Sequence, residues 1–350
     1  MKKTIIRSGL ETLYFSGTHH WMRPLVGGVG AILTLHHVRP QRPDAFQPNR
    51  HLEVTPEFLE RLLRRLARAR IDVISLNEMH RRFIEDDFKR RFVCLTFEDG
   101  YRDFSRWAYP LLRKYNLPFA MYIATSFPDR LGELWWVALE TVIAQNNRVG
   151  LVVNGKDQYF ESATVREKKE LHEAVYRYLC SMKTDEEIRS AMRDLCATYS
   201  LNLAALCHDL CMDWSEIAEL AADPLCTIGA HTVNHMILRK VASEQTVRAE
   251  MEMSRAVIEA ALGKRPEHLA YPVGDPVSAG PREFRIAAEL GFKTAVTTRP
   301  GVLFKAHLDH LTALPRITVS GELQQQRYLK VLISGAGTAF MNRFRRVNEA

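Results

Sequence analysis

Two adjacent carboxylates follow an apolar stretch of the chain. Residues 92–97 (FVCLTF) form a short run typical of a buried strand, and Glu98 and Asp99 come directly after it. Burying two neighbouring negative charges is costly unless a positive group pairs with them. The pair therefore indicates either the beginning of a helix, whose dipole favours acidic residues, or a functional site.

Two histidines supply a second chemical signal. His231 and His235 in GAHTVNH are four residues apart, a spacing that lets two imidazoles approach one metal ion from a helical turn or a tight loop. Such pairs also arise by chance in a chain with 13 histidines. Two histidines and one carboxylate are a recurrent ligand set for zinc or another divalent ion, and Asp99 is the natural carboxylate. Glu98 would then have a separate task, as a base that takes a proton from the attacking water.

Strands and helices alternate along most of the chain. The apolar runs predict strands at residues 31–35, 71–76, 92–97, 118–125, 224–231, 268–272, 293–298 and 314–319. Helical segments between them favour an α/β fold with parallel strands, an irregular (β/α)7–8 barrel that is either closed or open. Catalytic residues of such barrels follow the strands. His36, Glu98, Asp99, His231 and residues 272–275 all do so, which favours a functional interpretation of the acidic pair.

One segment interrupts this alternation. Residues 134–213 contain a helix, two short β-like runs around Asn154-Gly155 and a charged helical stretch, after which the alternation resumes. We therefore predict one barrel over residues 31–320 with a mostly helical insertion at 134–213. Residues 1–30 would be an N-terminal extension, and residues 321–350 a C-terminal basic helix.

The composition is that of a soluble globular protein. Of the 350 residues, 46% are hydrophobic and 25% are charged, with a net charge of +7. No nucleic-acid-binding motif accompanies the basic residues, so we expect no nucleic-acid partner. Six cysteines without a CxxC pair, and apolar runs too short for a signal peptide or a membrane span, predict a cytoplasmic protein without stable membrane insertion. Nothing in the pattern indicates an oligomeric state.

Several motifs along the chain resemble those of one enzyme family. LTFEDGY, GAHTVNH and LAYPVGDP are similar to the first three motifs of the polysaccharide deacetylase superfamily (NodB homology, carbohydrate esterase family 4). ILTLHHVRP resembles the segment that opens its circularly permuted members, and both LPRITV and the stretch from TPEFLERLLRRL to IDVISLNE fit the pattern. The match extends over residues 31–319 without the insertion. The resemblance implies a metal-dependent N-deacetylase on an irregular (β/α) barrel.

The resemblance also implies roles for single residues. Asp99, His231 and His235 would hold the metal, commonly Zn²⁺, with Co²⁺, Ni²⁺ or Mn²⁺ as other candidates. Glu98 would be the general base. The backbone N–H of Val273 would stabilise the oxyanion of the tetrahedral intermediate.

Two histidines are candidates for the general acid of the reaction. His36 would protonate the leaving amine, because it lies in the segment typical of permuted members. In other relatives this histidine comes from a late L-x-H motif. His310 lies in that region, but its DHL context does not match the motif, so it is the second candidate.

Two residues depart from the family's pattern. Glu98 stands where aspartate is usual, and its extra methylene would let it reach the water by another rotamer or ligate the metal itself. Val273 replaces a tyrosine, a change that a contact made through the backbone tolerates.

Candidate substrate contacts lie in the third motif and at the beginning of the insertion. Tyr271, Pro272 and Asp275 belong to the third motif, and Trp135 and Trp136 could stack on a sugar ring. Core packing of the two tryptophans and a turn role for Asp275 are the alternatives.

The expected partner is a saccharide substrate. We expect a hydrolase that removes N-acetyl groups from an oligo- or polysaccharide containing N-acetylglucosamine, such as a chitooligosaccharide. One alternative is a hydrolase of the same fold that acts on another small amide. The other is a barrel that still binds saccharide but has lost catalysis through the change at Glu98.

Overall fold

Seven parallel strands close into a barrel. The computed structural model describes residues 2–69, 71–153 and 156–347. The barrel strands in chain order are β1 (Gly30–Leu35), β2 (Phe92–Phe97), β3 (Phe119–Ile123), β4 (Cys226–Ala230), β5 (His268–Ala270), β6 (Thr294–Pro300) and β7 (Leu314–Thr318). Each pairs in parallel with the next one along the chain. The predicted irregular α/β barrel is thus confirmed, with seven strands in the closed ring.

The ring closes at β1. This strand pairs with β2 over its whole length, from Gly30 opposite Phe92 to Leu35 opposite Phe97, and with β7 at Leu33 opposite Ile317. All six residues of β1 and of β2 are buried. Strands covered on both faces are apolar along their length, which is why these segments are nearly continuous apolar runs.

The remaining predicted strand lies outside the ring. Residues 71–76 contribute only the two-residue strand Asp72–Val73, which pairs in parallel with β2. The helices that cover the barrel are Pro56–Arg68, Leu76–Ile84, Tyr109–Lys114, Glu244–Leu262 and Pro281–Glu289. Short helical turns occur at Pro48–Leu52, Phe104–Ala108, Leu238–Lys240 and Lys305–His310, and His37–Val38 pairs with Glu53–Val54.

The segment between β3 and β4 is mostly helical. Its helices are Trp135–Gln145, Val165–Ser181, Asp185–Thr198, Leu203–Leu210 and Trp214–Ala221. Strands Arg148–Val153 and Lys156–Glu161 form an antiparallel pair, and the predicted turn at Asn154-Gly155 lies outside the described residues. Leu139 and Ile188 of this segment share an apolar core with Tyr101 and Phe127 from loops of the barrel. The insertion is therefore packed onto the barrel.

Both chain ends fold into helices that pack together. Lys2–Phe15 and Thr18–Val26 precede the barrel, and Gln326–Ile333 and Ala336–Met341 follow it. The prediction of one C-terminal helix is wrong, because Gly335 adopts φ 83° between two helices. A Cβ at Gly335 would lie 1.9 Å from the carbonyl oxygen of Val26, so only glycine fits there.

Candidate active site

Loops at the carboxyl ends of the strands bring the predicted site residues together. His36 follows β1, Glu98 and Asp99 follow β2, and His231 follows β4. The loop with Val273 follows β5. Because all the strands are parallel, these residues lie at one end of the barrel.

Asp99, His231 and His235 form a compact group of metal-ligand atoms. Oδ1 of Asp99 lies 3.4 Å from Nε2 of His235 and 3.6 Å from Nε2 of His231, and the three side chains are buried. Nδ1 of His231 lies 2.7 Å from the carbonyl oxygen of Ala270, a hydrogen bond that directs Nε2 towards the group. Ligand atoms about 2.1 Å from a tetrahedral zinc ion stand about 3.4 Å apart, so the spacing suits such an ion.

The polarity of this group also suits a cation. Oδ1 of Asp99 is buried, and the described residues offer it no hydrogen-bond donor. A buried acceptor without a partner is costly, and a metal ion would supply the missing interaction. Burial lowers the pKa of His235 to about 4, which leaves the imidazole neutral and able to act as a ligand.

Backbone strain is concentrated at this end of the barrel. Asp99, Thr232, His235 and Val273 all adopt positive φ, at 68°, 66°, 54° and 61°. This conformation is unusual for side chains with a Cβ, especially β-branched ones, and costs about 1–3 kcal/mol per residue. Such strain persists only where the surroundings impose it, so the loops of the site are held by their neighbours.

Two buried charged groups hold the loop that carries the histidines. Glu250 of helix Glu244–Leu262 accepts hydrogen bonds from the backbone N–H groups of Val233 (3.1 Å) and Asn234 (2.8 Å). Arg189, from the insertion, donates to the carbonyl oxygens of Asn234 (2.7 Å) and His235 (3.2 Å). These contacts fix the backbone around one metal-ligand candidate.

A second residue of the insertion reinforces this support. Asp185 lies 2.5 Å from Nε of Arg189 and accepts a hydrogen bond from the backbone N–H of Ile237 at 2.9 Å. Asp185 and Arg189 are both buried. Sequence analysis did not assign either residue, because both lie in a helix far along the chain from the histidines.

Glu98 lies between Arg316 and His36. Its Oε2 is 3.1 Å from Nε2 of His36, and its Oε1 forms an ion pair of 2.5 Å with Nη1 of Arg316. Burial alone would raise the pKa of Glu98, but Arg316 and His36 hold it well below the usual range. Burial opposes the charge on His36, yet Glu98 and Asp99 raise the pKa of the imidazole. The contact thus favours the charged form of both groups, the carboxylate of Glu98 and the imidazolium of His36.

Arg316 is a site residue that sequence analysis did not assign. It belongs to β7, is fully buried, and donates from Nε to the carbonyl oxygen of Thr297 at 2.7 Å. The LPRITV motif was the available signal, but the motif did not reveal which residue the arginine would pair with. The group of three candidate ligands does not include Glu98.

The loop that carries the third motif is hydrogen-bonded to β6. The side chain of Thr298 donates to the carbonyl oxygen of Val273 at 2.7 Å, and its backbone N–H donates to Gly274 at 2.9 Å. Gly274 has φ 68°, and a Cβ there would meet the backbone nitrogen of Thr298 at 2.9 Å. Pro272 is buried, whereas Val273 is exposed at the surface of this loop.

The other third-motif candidates have structural roles. Tyr271 is fully buried, and its hydroxyl donates to the carbonyl oxygen of Thr312 at 2.7 Å. The prediction of a substrate contact by this side chain is therefore corrected to a packing role. Oδ1 of Asp275 accepts a hydrogen bond from the backbone N–H of Val277 at 3.0 Å, which matches the turn role considered for it.

The tryptophan pair also packs inside the protein. Trp135 and Trp136 are buried, and the ring of Trp135 stacks on Tyr176 with centroids 5.5 Å apart. The ring centroid of Trp136 lies 4.9 Å from that of His235. Stacking of the two indoles on a sugar is thus corrected to core packing, and Trp136 covers a metal-ligand candidate.

His310 lies apart from the site. It is the last residue of the helical turn Lys305–His310, which precedes β7 and therefore lies towards the amino ends of the strands. His36 is the candidate acid that contacts Glu98.

The match to a protein family agrees with this geometry. Residues 85–295 match the family model described as polysaccharide deacetylase, which covers more than half of the chain. The chain therefore belongs to the polysaccharide deacetylase family. This family is generally metal-dependent, and Asp99, His231 and His235 form its candidate metal site here.

Solved structures of deacetylases share the fold. The Streptococcus pyogenes deacetylase PplD, in complex with acetate, is 20% identical, with a TM-score of 0.53 over 86% of this chain and 97% of that one. IcaB from Ammonifex degensii is 17% identical, with a TM-score of 0.52 over 88% and 97%. The de-N-acetylase from Aggregatibacter actinomycetemcomitans is 13% identical, with a TM-score of 0.55 over 86% and 99%. No curated protein matches the sequence.

Proposed function

We propose that this protein hydrolyses the N-acetyl group of a saccharide that contains N-acetylglucosamine, using a divalent metal ion such as Zn²⁺. The observation that carries the proposal is the convergence of Asp99, His231 and His235 beside the ion-paired Glu98. The family supplies the reaction class, since its members are deacetylases of polysaccharides. The solved complex of PplD contains acetate, which is the acyl product of such a reaction.

Each residue of the site has a task in this reaction. A divalent ion held by Asp99, His231 and His235 would act as a Lewis acid towards the acetyl carbonyl and would make water a stronger nucleophile at neutral pH. Glu98 takes a proton from the attacking water as its oxygen bonds to the carbonyl carbon. Arg316 keeps the Glu98 carboxylate ionised and fixes its direction.

The bond to nitrogen then breaks. The backbone N–H of Val273 donates to the oxyanion, and the strained loop fastened by Thr298 holds that donor in place. His36, protonated beside Glu98, gives its proton to the leaving amine. The products are acetate and a saccharide with a free amino group.

A second function is favoured by one observation. Glu98 contacts His36 and Arg316 directly, so the proposed base is held by the proposed acid at 3.1 Å and by Arg316 at 2.5 Å. A carboxylate stabilised to this degree is a weak base. A barrel that binds saccharide without hydrolysing it is the function that this feature would support.

Acetate release separates the two functions. Purified protein would be incubated with chitooligosaccharides and with N-acetylglucosamine polymers of other linkages, in the presence of Zn²⁺, Co²⁺, Ni²⁺ or Mn²⁺. We expect acetate release from at least one substrate, its loss in Asp99→Asn and Glu98→Gln, and no change in the surface control Glu173→Gln. Saccharide binding by calorimetry without acetate release under any metal would instead establish the binding function.

A cytoplasmic location stays a prediction of the sequence.

A further inference from the structure

The helices of the chain termini form an unusual surface. Trp21 and Leu25 lie one turn apart on helix Thr18–Val26, so they share one side of it, and they are 83% and 70% exposed. A large apolar side chain with so much exposed area is costly in water unless something covers it in the working state of the protein.

A second apolar group continues this surface. Phe340 and Phe344 are about half exposed, with ring centroids 5.1 Å apart, at the end of helix Ala336–Met341. This helix packs against Thr18–Val26, and Leu25 and Phe344 line the same cavity of about 340 Å³. We call the surface that carries Trp21, Leu25, Phe340 and Phe344 the terminal face.

Cations surround the terminal face. Arg345 and Arg346 line the cavity beside Phe344. On the other side of helix Thr18–Val26, a cavity of about 240 Å³ is bordered by Arg23, Arg65 and Lys330. In the described parts of the chain, none of these five side chains forms an ion pair with a carboxylate.

The two stretches of sequence that carry the terminal face contain no acidic residue. No Asp or Glu occurs between Glu11 and Asp44, or between Glu322 and Glu349. Burial and, to a smaller extent, the charge of Arg23 lower the pKa of Arg91 to about 10. An apolar ridge between cations that form no ion pair among the described residues is complementary to a surface with an apolar interior and anionic groups above it.

We propose that the terminal face docks on an anionic lipid surface. Trp21, Leu25 and Phe344 would enter the boundary between headgroups and acyl chains, while Arg23 and Arg345 contact lipid phosphates. This binding is peripheral, and among the described residues no helix is long and apolar enough to cross a membrane. It does not depend on the proposed reaction.

A second copy of the chain is the competing occupant. In a symmetric dimer the same patch meets itself, so Arg23, Arg345 and Arg346 of one copy would approach the same cations of the other. Like charges brought together in this way oppose association. A lipid surface with negative headgroups meets no such repulsion.

The docked orientation follows from the topology. Helix Thr18–Val26 leads into the first residue of β1 through residues 27–29, and the cavity beside it is lined by Ile71 and Arg91, which precede strands. The terminal face therefore covers the amino ends of the strands, opposite the candidate active site. The docked protein would present that site to the solvent.

Vesicle sedimentation tests the proposal. The protein of residues 1–350 would be mixed with vesicles of phosphatidylcholine alone or of phosphatidylcholine with phosphatidylglycerol. We expect binding only to the anionic vesicles, weakened by salt, and about tenfold or more weaker in the double variants Trp21→Ser/Leu25→Ser and Arg345→Glu/Arg346→Glu. The matched controls are Leu131→Ser, in the loop after β3, and Arg177→Glu, in the insertion; both alter exposed residues and should bind like the wild type.

Two further measurements complete the test. Brominated lipids should quench the fluorescence of the bound wild-type protein, and the quenching should fall in Trp21→Phe, whereas thermal unfolding should be the same in all variants. Equal binding to neutral and anionic vesicles, or full binding by both double variants, would overturn the proposal. So would a dimer, seen by light scattering, that Trp21→Ser/Leu25→Ser disperses while vesicle binding is absent.

Discussion

The buried carboxylates Glu98 and Asp99 have separate partners. Asp99 faces His231 and His235, whereas Glu98 faces His36 and Arg316. Two adjacent negative charges are tolerated here because each has its own positive or cation-binding surroundings. The electrostatic repulsion between the two carboxylates is thus offset by different neighbours of each residue.

The ion pair of Glu98 and Arg316 can be tested through stability. Arg316→Met leaves the Glu98 carboxylate buried without its closest cation, and we expect the free energy of unfolding to fall by about 3–5 kcal/mol. The double variant Arg316→Met/Glu98→Gln should regain part of that loss. Denaturant titration measures both, with Arg285→Met as the control because its ion pairs are half exposed and contribute about 0–1 kcal/mol. Equal losses in the single and double variants would contradict a dominant role for the pair.

The length of the Glu98 side chain is tested by Glu98→Asp. Removing a methylene draws the carboxylate back by more than about 1 Å from Arg316 and His36, and a displacement of that size costs about a hundredfold in rate. We therefore expect acetate release to fall about a hundredfold in Glu98→Asp. Steady-state kinetics measure the change, with Glu173→Asp as the surface control. A faster Glu98→Asp enzyme would show that the surrounding residues suit the shorter base.

At the scale of elements, the insertion supports the metal-site loop. Helix Asp185–Thr198 places Arg189 against the carbonyl oxygens of Asn234 and His235. Because Arg189 and Asp185 are buried, the position of this helix and that of the histidine loop are coupled. The segment that interrupts the barrel sequence thus contributes to the site.

This coupling predicts an effect on metal affinity. Lysine at position 189 cannot donate in the same planar geometry, so Arg189→Lys should loosen the loop and weaken zinc binding by about 10–100-fold. Competition with a chelator measures the affinity. Arg193→Lys is the matched control, since Arg193 on the same helix contacts Glu133 and Glu186 but not the loop. If thermal unfolding changes while zinc affinity does not, Arg189 has a structural role only.

The elements differ in how far the sequence predicts them. The alternating pattern and the residues after the strands predict the barrel and bring His36, Glu98 and His231 to one end, because parallel strands share their direction. The sequence does not predict which side chains contact those residues. Arg189 and Arg316 meet the site across long stretches of chain, and no local period or motif spacing encodes such contacts.

Tertiary contacts explain where the structure differs from the other predictions of the sequence. Trp135, Trp136 and Tyr271 have side chains that suit both a sugar ring and an apolar core, so residue type alone does not distinguish the two. The split of the C-terminal helix rests on Gly335, whose close approach to Val26 is a tertiary contact. These features depend on what the fold places next to each residue.

On the scale of the whole molecule, metal binding should be linked to folding. The ligand candidates Asp99, His231 and His235 come together only in the closed barrel, so an ion that binds them stabilises the folded state alone. Zinc at a thousand times its dissociation constant should add about 4 kcal/mol to the free energy of unfolding.

Chelation measures this linkage. Removal of the metal should lower the melting temperature of the wild type, and His231→Ala should show low metal content and no response to the chelator. The surface variant His208→Ala is the control that should behave like the wild type. A wild type whose melting temperature ignores both zinc and chelator would contradict the assignment of these residues as ligands.

The pairing of the last barrel strand with the first has a consequence for folding during translation. His36 follows the first strand and Arg316 belongs to the last, and the two meet at Glu98 because β7, β1 and β2 are neighbours in the ring. A ribosome that has released only the first three hundred or so residues has made all three metal-ligand candidates but not the arginine that neutralises Glu98. The nascent chain therefore holds an incomplete centre until its final strand docks. Under the proposed function, acetate release would therefore require that the first and last strands of the barrel have paired.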